Sequence, residues 1–259
     1  MTPILVFDIE TIPDIAGIRK LDDLPSDLSD DDVAEHAFAA RREKTGSDFL
    51  PHHLQHIAAI SCVFRDREGM RVRSLGQPGD SEASLIQSFF KVIEKYTPQL
   101  VSWNGGGFDL PVLHYRGLIH GVSAPRYWDM GEDDREFKWN NYISRYHSRH
   151  TDLMDVLAAF QPRASAPLDA LAKLCGFPGK LGMDGSKVWE AFQAGRLDEI
   201  RAYCETDVVN TYLMYCKYQL MRGGFTADDY ADEVAFVKTA LAAETGAHWA
   251  QYLAAFADA

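Results

Sequence analysis

The chain has 259 residues, 46% hydrophobic and 25% charged, with 26 basic against 38 acidic side chains and a formal charge of −12. That length can bury one large core, and the acidic balance excludes a protein that holds a polyanion by a global basic field, so any such contact is local or carried by cations. Cys62, Cys175, Cys204 and Cys216 form no CxxC pair, no apolar run reaches membrane-spanning length and no basic leader opens the chain, which together predict a reduced, cytoplasmic protein without a membrane partner.

Ile4–Phe7 is apolar throughout, the pattern of a strand covered on both faces. At its end stand Asp8 and Glu10, and because residues i and i+2 project from one face, two like charges converge. Partial burial tolerates such a pair only with a shared proton or a cation between them. Hard oxygen ligands favour magnesium or manganese. A turn cap at Asp8 with Glu10 in solvent is the alternative. Asp22–Lys44 then forms most of an acidic insertion over about residues 20–50, with a helix near Asp32–Arg42, and Ile57–Phe64 with Arg71–Leu75 around "RDREG" reads as a hairpin.

Ser81 opens a helix that carries Glu82 in its first turn and runs to about Tyr96. Leu100–Trp103 is a strand, followed by "NGGG" and a helix from Asp109 or Leu110. Three consecutive glycines exceed the needs of a turn and would let a ligand approach the backbone. Asn104 offers an amide there and Phe108 a ring for a base or sugar, while Asp109 serves equally well as a helix cap. The loop lacks the spacing of a P-loop or a dinucleotide fingerprint.

The stretch from Tyr127 to His150 is irregular, and order resumes over Leu153–Phe160. Arg135, Lys138, Arg145 and Arg149 alternate with Trp139, Tyr142 and Tyr146, which suits a single-stranded polynucleotide or a solvated loop paired with the nearby "GEDD". His147, His150, Asp152 and Asp155 have no compact zinc spacing; Asp152 or His150 reads as outer support of an acid site or as a local cap. Helices are predicted over Leu168–Cys175, Ser186–Ala194, Leu197–Met221 and Ala227 to about Phe256, with Lys180 and Lys187 as a second pair of candidate strand contacts. In the third of these, Ile200, Cys204, Val208, Thr211 and Tyr215 form a core stripe, and Tyr203 and Asp207 stand beside it at i, i+4. Asp207 therefore points coreward, where it requires a salt bridge, a hydrogen-bond network or a metal.

Asp8-Ile9-Glu10-Thr11, Asn104 through Phe108-Asp109, and Tyr203 through Asp207 resemble, in this order, the three motifs of proofreading-type 3′–5′ exonucleases of the ribonuclease H-like superfamily, the four-acid group whose third motif carries a tyrosine. The flanks "RYHSRHTDLMD" and "FPGKLGMDGSKVWE" resemble the stand-alone exonucleases related to the exonuclease domain of family B DNA polymerases. The likeness spans roughly residues 3–222. It implies an α/β fold, a ribonuclease H-like mixed β-sheet flanked by helices, with residues 1–222 as the exonuclease domain and 223–259 as a C-terminal helical extension.

The resemblance further implies hydrolysis from the 3′ end of single-stranded nucleic acid, DNA favoured and RNA open, releasing nucleoside 5′-monophosphates. Two divalent cations, Mg2+ or Mn2+, would be held by Asp8, Glu10, Asp109 and Asp207, with Tyr203 aiming the attacking water. Thr11, Asn104 and Phe108 would hold the strand end, with Arg145, Arg149, Lys180 and Lys187 along its path. One departure is Gly106, where relatives often carry a basic residue. The rival readings are a catalytically silent nucleic-acid-binding protein on the same fold, and a two-metal endonuclease or hydrolase of small phosphoesters.

Overall fold

The computed structural model describes residues 2–257. Among them, β1 (Ile4–Pro13), β2 (Gln55–Arg65), β3 (Met70–Ser74), β4 (Gln99–Ser102) and β5 (His150–Asp152) form one sheet in the order β3-β2-β1-β4-β5. β2 runs antiparallel to β1 and β3 antiparallel to β2, whereas β4 and β5 continue the sheet in parallel. The helices are α1 (Ile15–Leu21), α2 (Asp30–Thr45), α3 (Glu82–Tyr96), α4 (Asp109–His120), α5 (Pro125–Trp128), α6 (Leu153–Leu157), α7 (Leu168–Leu174), α8 (Val188–Gln193), α9 (Leu197–Met221), α10 (Ala227–Ala242) and α11 (Ala247–Ala257). This is the ribonuclease H-like α/β arrangement that the motifs imply.

The apolar start of β1 is explained by what covers it. Leu5, Phe7 and Ile9 pack on one face with Ile86 and Phe89 of α3 and Leu113 of α4, while Ile4 and Val6 pack on the other with Val208 and Tyr212 of α9 and Tyr252 of α11. Alternation then carries Asp8 and Glu10 onto the α9 face. β4 pairs with β1 only over Ile4–Val6, so the two acids lie in the crevice beyond the carboxyl end of the parallel strands, where ligands of open α/β sheets bind. β1 itself continues to Pro13 against β2, with a bulge between Glu10 and Thr11. The strand is thus longer than its apolar run, and antiparallel pairing rather than hydrophobicity extends it.

Two other departures have physical causes. β5 is a three-residue strand in polar sequence, held by parallel pairing of Leu100, Val101 and Ser102 with His150, Thr151 and Asp152, so no local pattern marks it. The helix expected over Ala227 to Phe256 is two helices, broken between Ala242 and Ala247 where Thr245-Gly246 has weak helical propensity. A straight helix of that length would extend roughly 45 Å; the break lets Val237, Leu241, Trp249, Tyr252 and Phe256 all return to one core with α9. The acidic insertion folds as α1 and α2 around a small core of Ile18, Val33, Ala37 and Leu50, with Ser29 capping α2 by accepting from the Asp32 amide at 3.1 Å. No helix among the described residues is long and apolar enough to cross a membrane.

Candidate active site

Three separate elements deliver acids to the crevice. β1 brings Asp8 and Glu10, the start of α4 brings Asp109, and α9 brings Tyr203 and Asp207 one turn apart. Asp109 is locked to β1, since its Oδ1 accepts from the backbone amide of Ile9 at 3.0 Å. Cys204, between the two motif residues of α9, places its Sγ 3.5 Å from Asp8 Oδ2, and ligand-capable atoms of Asp8, Glu10 and Cys204 lie within 4.8 Å of one another. Glu10, Asp109, Tyr203 and Asp207 are all buried.

Burial makes this cluster electrostatically costly. Desolvation, then the charges of Asp109, Glu10 and Asp207, push the Asp8 carboxyl well above its ordinary range. Glu10 is raised by burial and by Asp207. Asp109 is raised by burial to about 7 even though the Ile9 amide pulls it down, and Asp207 is raised by burial against the opposing pull of Lys180. Among the described residues, the cation at the cluster is Lys180, whose Nζ lies 3.4 Å from Asp207 Oδ2 and donates to the Tyr203 hydroxyl. Asp207 Oδ1 is buried and has no hydrogen-bond partner among the described residues. A single ammonium cannot neutralise four converging carboxylates, and an orphaned buried carboxylate oxygen is rare in a native fold. The four carboxylates offer oxygen donors, which fit hard divalent cations, while burial raises the pKa of the neighbouring Cys204 thiol and keeps it protonated.

The Asn-Gly-Gly-Gly loop is shaped from beneath by Asp152 at the end of β5. Its Oδ1 accepts from the Asn104 amide at 2.9 Å, its Oδ2 from the Gly106 amide at 2.8 Å, and the same carboxylate caps α6 through the Met154 amide. Asn104 adopts a left-handed φ of 66°, which asparagine tolerates better than most residues. Packing requires two of the glycines: a Cβ at Gly105 would strike the Ser102 side chain, and one at Gly107 the side chain of Asn104. His150 does not face the acids as a ligand. Its Nε2 pairs with Ser102 Oγ at 2.8 Å, and burial pulls its pKa down to about 4, so it is a neutral packing residue. His147 Nδ1 accepts from the Asn141 amide.

The remaining sequence-predicted residues divide into rim and interior. Thr11 donates its hydroxyl to Gln55 Oε1 at 2.9 Å and edges a hollow of about 280 Å³ with Phe49 and Trp189. Phe108 contacts Phe49 and His52, with ring centroids 5.4 and 5.8 Å away. Lys187 and Arg196 line a larger hollow of about 530 Å³ that opens on Tyr203. Arg145 lines a hollow with Gly106, its guanidinium 4.6 Å from the Phe160 ring centre, so a cation stands beside the loop that lacks one in its own sequence. Lys180, expected along the strand path, instead joins the acids. Arg149 is not brought to this rim: its Nε donates to the Asn140 carbonyl at 2.7 Å and its guanidinium stacks 4.1 Å from the Phe137 ring centre. Phe49, His52 and the proximity of Cys204 to Asp8 were not legible as site features, whereas Asp152 holds the loop beside the acids, in line with the outer support read for Asp152 or His150.

Residues 47–256 match a family described as "Predicted 3'-5' exonuclease related to the exonuclease domain of PolB". The matched stretch includes Asp109, Tyr203 and Asp207 but begins after Asp8 and Glu10, which the fold joins to them. The chain is also 29% identical over 147 residues to the catalytic polypeptide of DNA polymerase epsilon from Saccharomyces cerevisiae, an alignment covering 54% of this chain and 6% of that protein.

Proposed function

The chain belongs to the family of predicted 3′–5′ exonucleases related to the exonuclease domain of PolB, and from that premise we propose that it shortens single-stranded nucleic acid from the 3′ end, releasing nucleoside 5′-monophosphates. DNA is the favoured substrate. The observation that carries this reading is the convergence of Asp8, Glu10, Asp109 and Asp207 with a buried, unpartnered oxygen on Asp207. Two divalent cations, Mg2+ or Mn2+, bound by these four residues would supply charge neutralisation and a reactive water.

The protein's own groups do the positioning. Burial and the charges of Asp207, Glu10 and Asp8 raise the Tyr203 hydroxyl far above its ordinary pKa, so it stays protonated and cannot serve as a base at neutral pH. Lys180 donates to the Tyr203 oxygen and the phenolic proton faces Asp207, whose pKa it lowers, so the hydroxyl is held beside the acid where the attacking water would be oriented. The attraction of Asp207, Glu10 and Asp8 outweighs the downward pull of burial on Lys180 and raises its pKa, so it remains a cation. Thr11 has committed its proton to Gln55 and therefore offers lone pairs, the partner a terminal 3′-hydroxyl donor requires. The exposed ring of Phe49 with Phe108 forms a wall on which an unpaired base stacks, worth about 1–3 kcal/mol per base.

The test is 5′-labelled linear single strands beside internally labelled circular ones, DNA and RNA, incubated with Mn2+ or Mg2+. A ladder receding from the 3′ end, abolished in Asp8→Ala and Asp207→Ala and slowed in Tyr203→Phe with Mn2+ binding retained, is the expected result. Cutting of the circle would instead assign an endonuclease, and activity surviving both aspartate changes would remove the metal cage from the mechanism.

A further inference from the structure

We infer that Tyr252, on the C-terminal helix α11, fixes the position of Lys180 through Asn210 and the Gly179–Lys180 peptide, which makes that helix a positioning part of the active site. The inference rests on the strand-shortening function proposed above, and it concerns residues outside the three acid motifs.

Lys180 lies on an irregular segment between α7 and α8, yet its ammonium must meet two fixed groups on α9. The peptide that carries it is held at both ends. The Gly179 carbonyl accepts from Asn210 Nδ2 at 2.9 Å, and the Lys180 amide donates to Asp169 Oδ1 at 2.7 Å. Gly179 sits at a left-handed φ of 67°, and a Cβ there would run into Asp169 and Lys173, so only glycine fits and the two hydrogen bonds are what fix the peptide.

The orientation of the Asn210 amide follows from its partners. A peptide carbonyl only accepts, so Nδ2 must face Gly179, and Oδ1 is left requiring a donor. Tyr252 supplies it, its hydroxyl donating to Asn210 Oδ1 at 2.8 Å. Asn210 and Tyr252 are both 0% exposed, so no solvent water can take over this bond. Without the hydroxyl, Oδ1 would be buried and unsatisfied, and turning the amide to relieve it would withdraw Nδ2 from Gly179. The defect then passes along the peptide to Lys180. α11 braces the same segment a second time, with Phe256 edge-on to Phe177 at 5.8 Å, two residues before Gly179. Packing alone would accept phenylalanine at 252, since the ring lies among Trp249 and Phe256; what the hydroxyl adds is the bond to Asn210.

Tyr252→Phe keeps the ring and removes only that donor. The full chain is compared as wild type, Tyr252→Phe, Lys180→Ala and the double variant, shortening a 5′-labelled single strand at saturating Mn2+. Tyr215→Phe is the control, because Tyr215 lies on the same helix as Asn210 and in the same core, yet its hydroxyl donates to Gln99 without reaching Lys180. Tyr252→Phe should lower kcat about three- to tenfold with KM for the strand unchanged, and should cost nothing further once Lys180 is alanine, whereas a purely structural bond would give additive losses. A full Tyr252→Phe loss persisting in the Lys180→Ala background, or no loss at all in wild type, overturns the inference.

A second readout needs no activity. The Lys180 side-chain NMR signal, assigned by its disappearance in Lys180→Ala, is shifted by the Tyr203 ring 5.0 Å from Nζ. Tyr252→Phe should move it toward the position of a free lysine while Tyr215→Phe leaves it in place. If wild type shortens no strand, the proposed function fails and this signal alone decides the positioning: a shift in Tyr252→Phe only upholds it, and an unmoved signal refutes it.

Discussion

β1 leads into two buried groups of charges that share residue types and differ in outcome. Asp8 and Glu10 open the acid crevice, and just past the strand's end Asp14 joins a second cluster with Glu82 and Arg116. There, Glu82 Oε1 accepts from the Ile57 amide at 2.7 Å and Arg116 Nε at 2.8 Å, and Oε2 meets His120 Nε2 at 2.7 Å and His56 Nδ1 at 3.1 Å. Arg116 also pairs with Asp14. Burial pulls the Glu82 pKa up, but hydrogen bonds from His56 and Arg116 overcome it and the group titrates well below its ordinary range. In the crevice, burial raises every acid, and Lys180 is too little to reverse it. A buried carboxylate surrounded by donors is cement; one left among other carboxylates is raised in pKa and stands out as a candidate functional group.

The sharpest way to break this contrast is to change one acid at a time. Glu10→Gln keeps shape and removes charge. It should slow strand shortening by about 10⁴-fold, more than 5 kcal/mol of barrier, and yet leave the metal-free protein at pH 8 at least as heat-stable as wild type, because a repelling charge has gone. Thermal scans with EDTA check the second half, and a clear fall in Tm would mean that Glu10 is structural after all.

Arg116 should behave in the opposite sense. Arg116→Ala strands Glu82 and Asp14 in a buried place, a loss of about 3–5 kcal/mol, read as a fall of roughly 10 °C in Tm. Strand shortening per folded molecule, measured well below the new transition, should stay near wild type. Loss of activity without loss of stability would erase the distinction between the two clusters.

What the sequence disclosed follows the same division between local and long-range rules. The i, i+2 spacing of Asp8 and Glu10 and the i, i+4 spacing of Tyr203 and Asp207 are geometric facts of a strand and a helix, so both pairs could be oriented before any fold was known. The cap at Ser81 and the hairpin around "RDREG" were equally local. Lys180 lies on an irregular segment, and only the route of that segment past α9 shows that it joins Asp207. β5 owes its existence to β4, and Glu82 read as an ordinary first-turn acid because its partners Arg116, His120 and His56 come from distant elements. Two of the three glycines have a further reason hidden for the same cause: Gly105 makes room for Ser102 and Gly107 for the Asn104 side chain, neighbours visible only once the loop is closed.

The smallest expected effect is also the one that sets the two clusters against each other on a single axis. Asp109 rises from an ordinary 3.8 to about 7 through burial, so between those values the folded, metal-free protein holds a proton that the unfolded chain has released. Stability from this source is present at low pH and lost as pH rises toward 7. Glu82 is depressed, so its contribution is full above its unfolded pKa and lost only as pH falls below that. Burial holds His114 and His150 at about 4, so they raise stability as pH climbs to their ordinary 6.5; above that value the crevice governs the slope, and Tm of the metal-free protein should decline. Mn2+ must displace the proton that Asp109 and the neighbouring crevice acids retain, so its stabilising upshift should grow over the same interval, by up to about 1.4 kcal/mol per pH unit for each proton released. Thermal scans with and without Mn2+ at pH 5, 6, 7 and 8 measure both trends. In Asp109→Asn the metal-free decline should flatten while Arg116→Ala keeps the wild-type slope; an Mn2+ upshift independent of pH would mean that the crevice acids are already ionised and that the cation is held elsewhere.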